Sequence, residues 1–142
     1  MDQAIAAAER HVSAFNRHDI EEHVANETPD IRWVQPGVEL QGRQAVAELQ
    51  QALWTALPDA RIDLIRRVVG GNTVISEEVL SGTQSGPFTT PSGTVPPTGR
   101  TVRVPFCTVQ EVRDGKIAAE RVYFDQMDFL GQLGLIPGGK AG

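Results

Sequence analysis

The sequence predicts an α+β domain in which three helices pack against an antiparallel sheet. Three observations carry the prediction. Apolar residues recur at helical spacing in the first part of the chain, the period changes to two from Arg61 onward, and tight-turn signals separate the later strands.

The elements follow in order. Ala4, Ile5, Ala8, Val12 and Phe15 recur at helical spacing, with Glu9, Arg10 and Arg17 elsewhere, and Asn16-Arg17-His18 ends this first helix. Asp19 opens a second helix with Glu22 three residues on, an Asp version of the capping box in which each side chain accepts an amide proton. Ile20 and Val24 are its buried side. A strand over 31–35 stops at Pro36-Gly37, and 38–40 form a second short extended piece. A third helix over about 44–56 carries Val46, Leu49, Leu53 and Ala56 on one stripe and ends at Pro58-Asp59. Strands are then predicted over 61–69, 73–83, 101–113 and 116–125. Gly70-Gly71-Asn72 turns the first pair, and Asp114-Gly115 is a type I′ hairpin signal, since both central positions tolerate positive φ. A helical turn over 127–133 closes the domain at Gly134, leaving 135–142 as a predicted flexible tail. The stretch 85–98 differs from the rest: Pro87, Pro91, Pro96 and Pro97 with Gly86 and Gly93 make a long loop of the kind that forms lids or binding loops.

Composition bounds the function. The 142 residues, 40% hydrophobic and 22% charged, suffice for one domain with one core, and no internal repeat or boundary divides them. Net charge is −5 and the longest basic run is Arg66-Arg67, which lacks the basic stripe of a nucleic-acid binder. The single Cys107 excludes an internal disulfide and a Cys-rich metal site, and a buried thiol is its default role. Met1-Asp2-Gln3-Ala4 lacks the basic and apolar regions of a signal peptide, and no apolar stretch nears the roughly 18 residues that cross a membrane. The expectation is a cytoplasmic protein with neither nucleic-acid nor membrane partners.

A set of short motifs occurs in a definite order. Phe15-Asn16 is followed by Asp19, then Trp33 and Pro36, then Gly42-Arg43-Gln44-Ala45-Val46 and Pro58-Asp59. Ser81-Gly82-Thr83, Pro97-Thr98-Gly99-Arg100 and Asp114-Gly115-Lys116-Ile117 come next. Tyr123-Phe124-Asp125 then leads to Leu130-Gly131-Gln132-Leu133-Gly134. In this order and spacing the sequence resembles the SnoaL-like polyketide cyclase family, within the nuclear-transport-factor-two-like superfamily, over nearly the whole chain. The resemblance implies a cone-shaped α+β barrel, with three N-terminal helices packed on a strongly curved antiparallel sheet. It also implies a homodimer formed through the outer sheet face. The implied chemistry is acid/base-catalysed intramolecular aldol cyclisation, or a related isomerisation, of a hydrophobic or aromatic ligand, without metal or organic cofactor. Asp125 matches the family's acid/base residue. Because one fold hosts several reactions, an epoxide hydrolase-like enzyme and a non-catalytic small-molecule-binding module are the alternatives. Two departures stand out: Gln84 where many relatives carry His, and Val34-Gln35 where they often carry His or Asp.

The candidate site residues follow. Strand periodicity puts Ile117, Ala119, Arg121, Tyr123 and Asp125 on one face. An Asp125 carboxylate held in an apolar cone would be disfavoured as an anion, which makes it a stronger base. Its alternative role is the N-cap of the closing helical turn. Tyr123 could bind a carbonyl or stand as pocket wall; Arg121 could stabilise an enolate oxygen or pair with Glu78. Gln84 could position a substrate carbonyl. Glu78 is either a second pocket carboxylate or, as pattern alone favours, a solvated strand residue. Trp33, Trp54, Phe15, Phe88, Phe106 and Phe124 could line a pocket for a flat ligand or fill the core, and Phe88 stands apart because it lies in the long loop. His11, His18 and His23 show no metal-ligand spacing with a downstream carboxylate, so no metal is expected.

Overall fold

The computed structural model describes residues 2–90 and 92–136. Its elements are α1 (Asp2–Asn16), α2 (Ile20–Ala25), β1 (Glu27–Gln35), β2 (Val38–Gln41), α3 (Arg43–Ala56), β3 (Arg61–Gly70) and β4 (Thr73–Thr83). They continue with β5 (Phe88–Thr90), β6 (Gly93–Val95), β7 (Thr101–Arg113), β8 (Lys116–Phe124) and α4 (Gln126–Gln132). Six strands form one sheet in the order β2-β1-β8-β7-β4-β3, and β5 with β6 makes a separate small hairpin.

Local chemistry accounts for the boundaries. Asp19 caps α2 by accepting from the Glu22 amide at 3.1 Å, while the Glu22 side chain turns to Asn26 instead of closing the box. Asp114 and Gly115 take φ of 53° and 76°, as the hairpin between β7 and β8 requires. Asn16 docks the end of α1 onto the edge strand β3. Its amide donates to the Ile62 carbonyl at 2.9 Å, and its carbonyl accepts from the Ile62 N–H at 2.7 Å.

The helices keep the predicted order: β1 and β2 lie between α2 and α3, and α4 is the closing helical turn expected over 127–133. Three features differ from the sequence expectation. The sheet is mixed, not antiparallel: β1 runs parallel to β8, pairing Trp33 with Glu120. The loop over 85–98 contains the β5–β6 hairpin. The tail expected from 135 is packed at its start. Leu135 donates its N–H to Leu130 and joins the core around Phe15 and Leu133. From 137 onward the expectation lies outside the described residues.

Register shifts in β1, in β3 between Leu64 and Arg66, and between β7 and β8 at Glu111 bend the sheet around its helices. Two apolar clusters fill the concave side. One joins Ala4, Ala8, Trp33, Val74 and Ile117; the other joins Phe15, Leu57, Val104 and Leu133.

Candidate active site

Between the helices and the concave face of the sheet lies a cavity of about 190 Å³. Strand register determines what faces it, because residues directly opposed across a sheet share a face. Three adjacent cross-strand rows matter. Glu78 opposes Phe106, which opposes Phe124. Arg67 opposes Ser76, then Thr108, then Val122. Val74 opposes Gln110, then Glu120, then Trp33. All but Val74 line the cavity. The row carrying Arg67 therefore runs between the row carrying Glu78 and the row carrying Glu120.

The rest of the wall is mostly apolar. Phe15 and Val12 come from α1, Leu49 and Leu53 from α3, Phe88 from β5 and Phe129 from α4. Phe88 and Phe129 meet edge to face with centroids 5.9 Å apart.

The polar groups are tightly organised. Glu78 is 5% exposed and accepts a hydrogen bond from the Thr108 hydroxyl at 3.5 Å. Gln110 donates to Glu120 at 2.6 Å, and Arg67 donates to the Ser76 hydroxyl at 3.0 Å. Beside Glu120, His11 and His23 stack with centroids 3.8 Å apart. His11 Nε2 shares a 2.8 Å hydrogen bond with Glu27, and His23 Nδ1 donates to the His11 carbonyl at 3.1 Å. Arg43 holds the Glu27 backbone carbonyl, with its Nε at 2.9 Å.

Low polarity governs their charge. Burial pushes the Glu78 carboxyl up to about 7, against the opposing pull of the Arg67 guanidinium and the Thr108 hydroxyl. Burial likewise raises Glu27 to about 7 and Glu120 to about 8. It also lowers both His11 and His23 to about 3. All these shifts disfavour charge, so burial works against an ion pair between His11 and Glu27.

The sequence-predicted residues divide between two sides of the sheet. Phe15, Trp33, Glu78, Phe88, Phe106 and Phe124 line the cavity. Glu78 is thus a pocket carboxylate and not a solvated one. Asp125 is exposed and caps α4, accepting from the Asp128 amide at 3.0 Å. Tyr123 is 55% exposed on the outer face, and Arg121 faces Glu111 at 3.9 Å instead of Glu78. The shift opposite Glu111 breaks the alternation within β8, so Ile117 is buried while Arg121 and Tyr123 point away. Cys107 opposes Tyr123 on that outer face and is half-buried. Gln84 is fully buried but serves the long loop: it donates to Gly86 and Pro96 and accepts from the Thr98 amide and hydroxyl. Trp54 packs behind the wall, against Phe15 and His18.

The residues that sequence reasoning missed were carried by weak signals. His11 stands three residues after Ala8 and four before Phe15, within the apolar stripe of α1. Glu120 alternates with Val122 and Phe124.

The match to known proteins fits this architecture. The SnoaL-like domain profile matches residues 8–120. The chain belongs to the SnoaL-like domain family. Among solved structures, a Jannaschia sp. CCS1 protein provisionally assigned as a SnoaL-like polyketide cyclase superposes with a TM-score of 0.84 at 21% identity, covering 96% of this chain and 94% of that one. IdmH of Streptomyces antibioticus, provisionally assigned as a polyketide cyclase, superposes at 0.78 with 27% identity over 93% of this chain and 99% of its own. An LEH-like epoxide hydrolase of M. tuberculosis superposes with a TM-score of 0.72 at 22% identity, covering 93% of this chain and 90% of that one. A search of curated protein sequences finds no significant match.

Proposed function

We propose that this SnoaL-like protein is an acid/base enzyme acting on a small hydrophobic carbonyl compound, by aldol-type ring closure or a related isomerisation, with Glu78 as its proton-transfer group. The observation that carries the reading is a buried carboxyl facing an apolar cavity, with its proton affinity raised to about 7. Such a group is a competent base near neutral pH and, once protonated, a competent acid. The Glu78 carboxylate takes the acidic proton next to a substrate carbonyl. The Glu78 acid then returns that one proton, either to the alkoxide formed when the enolate attacks a second carbonyl or, in an isomerisation, to a different carbon of the enolate. The Arg67 guanidinium, one row away, is placed to stabilise the developing oxyanion. Phe15, Phe88, Phe106 and Trp33 would hold a flat ring and exclude water. The cavity, at 190 Å³, is smaller than the roughly 300–1,000 Å³ typical of drug-sized ligand sites, which favours a one- or two-ring substrate.

Exchange of the α-protons of 2-tetralone in D2O, followed by NMR, tests the reading. Glu78→Gln is expected to lower the catalysed rate by about 100-fold or more. Exchange by the wild type no faster than the buffer background would count against an enolising enzyme.

A second reading is epoxide hydrolysis. The observation that favours it is the Arg67 row flanked by the rows of two buried carboxyl groups, Glu78 and Glu120. Two carboxyls around a cation suit the activation of water and the protonation of an epoxide oxygen. Turnover of styrene oxide without 2-tetralone exchange would establish this reading over the first.

A further inference from the structure

We propose that His11, His23 and Glu27 form a binding site for a divalent transition metal ion, zinc by the chemistry of its donors, in the wall of the cavity. The three donors come from α1, from α2 and from the first residue of β1. Their ligand atoms all lie within 4.8 Å of one another, and all three residues are buried. Both imidazole Nε2 atoms face the same carboxylate oxygen of Glu27, His11 at 2.8 Å and His23 at 3.9 Å. A tetrahedral zinc with bonds near 2.0–2.1 Å sets its donors roughly 3.3 Å apart, so these separations bracket what the ion needs. The two rings are stacked 18° from parallel, so the bound ion would tilt them apart to bring both Nε2 lone pairs onto it.

A second observation points to a ligand. His23 Nε2 and Glu27 Oε1 are buried with no hydrogen-bond partner. Orphaned buried polar atoms are rare because they forgo solvation without compensation. Here the two belong to groups that converge on one point. The outer support of a metal site is also in place. His23 donates its Nδ1 proton to the His11 carbonyl, which leaves Nε2 with a free lone pair. His11 Nδ1 faces Glu120 at 3.7 Å, and Glu120 is in turn held by Gln110. Arg43 fixes the Glu27 backbone.

Two imidazoles and one carboxylate select zinc, cobalt or a neighbouring transition metal over magnesium or calcium, which prefer all-oxygen sets. Three protein donors leave a fourth position. His11 and His23 both line the cavity, so that position opens toward the substrate space, as in catalytic and not structural zinc sites.

The test is metal uptake by the chelator-treated full chain, read without any activity. Calorimetry with Zn²⁺ is expected to show one ion per chain. Titration with Co²⁺ is expected to give the visible absorption of four- or five-coordinate cobalt and to broaden the His11 and His23 imidazole resonances, with zinc reversing both. Glu120→Gln is expected to weaken binding by about 10- to 100-fold, and Glu27→Gln and His23→Ala by more, while Glu78→Gln binds as the wild type does. Absence of stoichiometric uptake by the folded wild type would overturn the proposal. So would cobalt broadening that spares His11 and His23, a readout that needs no variant to fold. Folded Glu27→Gln and His23→Ala proteins that bind as tightly as the wild type would overturn it too.

Discussion

Glu78 and Asp125 are both carboxylates carried by or ending a strand, and their surroundings separate them. Glu78 lies inside the sheet, opposed by Phe106, whereas Asp125 leaves the end of β8 in solvent and satisfies the first turn of α4. Stability should therefore respond differently to each. The Glu78 carboxyl is raised from 4.5 to about 7 in the folded protein, so its stabilising contribution is full below about pH 4.5 and is lost as pH rises through about 7. Glu78→Gln removes that loss. Its unfolding free energy relative to wild type should rise between pH 5 and pH 8 by on the order of 3 kcal/mol, measurable by urea denaturation. Asp125→Ala should cost about 0.5–2 kcal/mol, as N-cap deletions do, with the cavity chemistry intact. The N-cap role was legible in the sequence, because Asp125 immediately precedes a helical turn. Family resemblance pointed instead to catalysis. The inward spacing of Glu120, Val122 and Phe124 was equally present but was masked by the more conspicuous run Arg121, Tyr123, Asp125.

Among the elements, the Pro- and Gly-rich loop shows how far composition reaches. Composition singled out 85–98 and suggested a segment over the cavity mouth, and Phe88 does line the cavity. Composition did not reveal the hairpin or its anchors. Gln84 ties both ends of the loop through Gly86, Pro96 and Thr98. Gly86 donates to the Ala56 carbonyl at the end of α3, so closely that a Cβ there would stand 1.9 Å from the Thr55 carbonyl oxygen. Gly86→Ala must therefore push the loop off α3. The expected outcome is a loss of about 1–3 kcal/mol or more in thermal or urea unfolding, with weakened binding of any ring that Phe88 contacts. A wild-type melting curve for Gly86→Ala would show that the loop is not held there. Helices and hairpins were otherwise readable because their signals are local: a cap at Asp19, a stripe through Val46 and Leu53, a turn at Asp114-Gly115. The parallel pairing of β1 with β8 was not, since it joins residues far apart in sequence whose alternation is the same for either direction.

At the scale of the molecule, the bent sheet gives one face to the cavity and the other to its surroundings. Which residues fall on each side depends on the register shifts, and a one-residue shift exchanges faces. That is why the fold was legible and half of the candidate site was not. The outer face carries Val68 opposite Ile75, 51% and 37% exposed, and Ile75 in turn opposes Val109. We propose that a second copy of the chain covers this row, giving the dimer that the family resemblance implies. Sedimentation of the wild type should report a dimer, and Val68→Asp with Ile75→Asp should report a folded monomer. A wild-type monomer at high micromolar concentration would contradict this.

We propose that the working carboxylate is Glu78, which faces inward from β4, and not Asp125 at the end of β8. The direct test is 2-tetralone exchange measured side by side for wild type, Glu78→Gln and Asp125→Asn across pH 5–9. The account predicts a wild-type rate that rises with pH through about 7 as Glu78 ionises. It also predicts a loss of about 100-fold or more in Glu78→Gln, and an Asp125→Asn rate within about twofold of wild type, since Asn caps a helix as Asp does. A silent Asp125→Asn beside a fully active Glu78→Gln would contradict it.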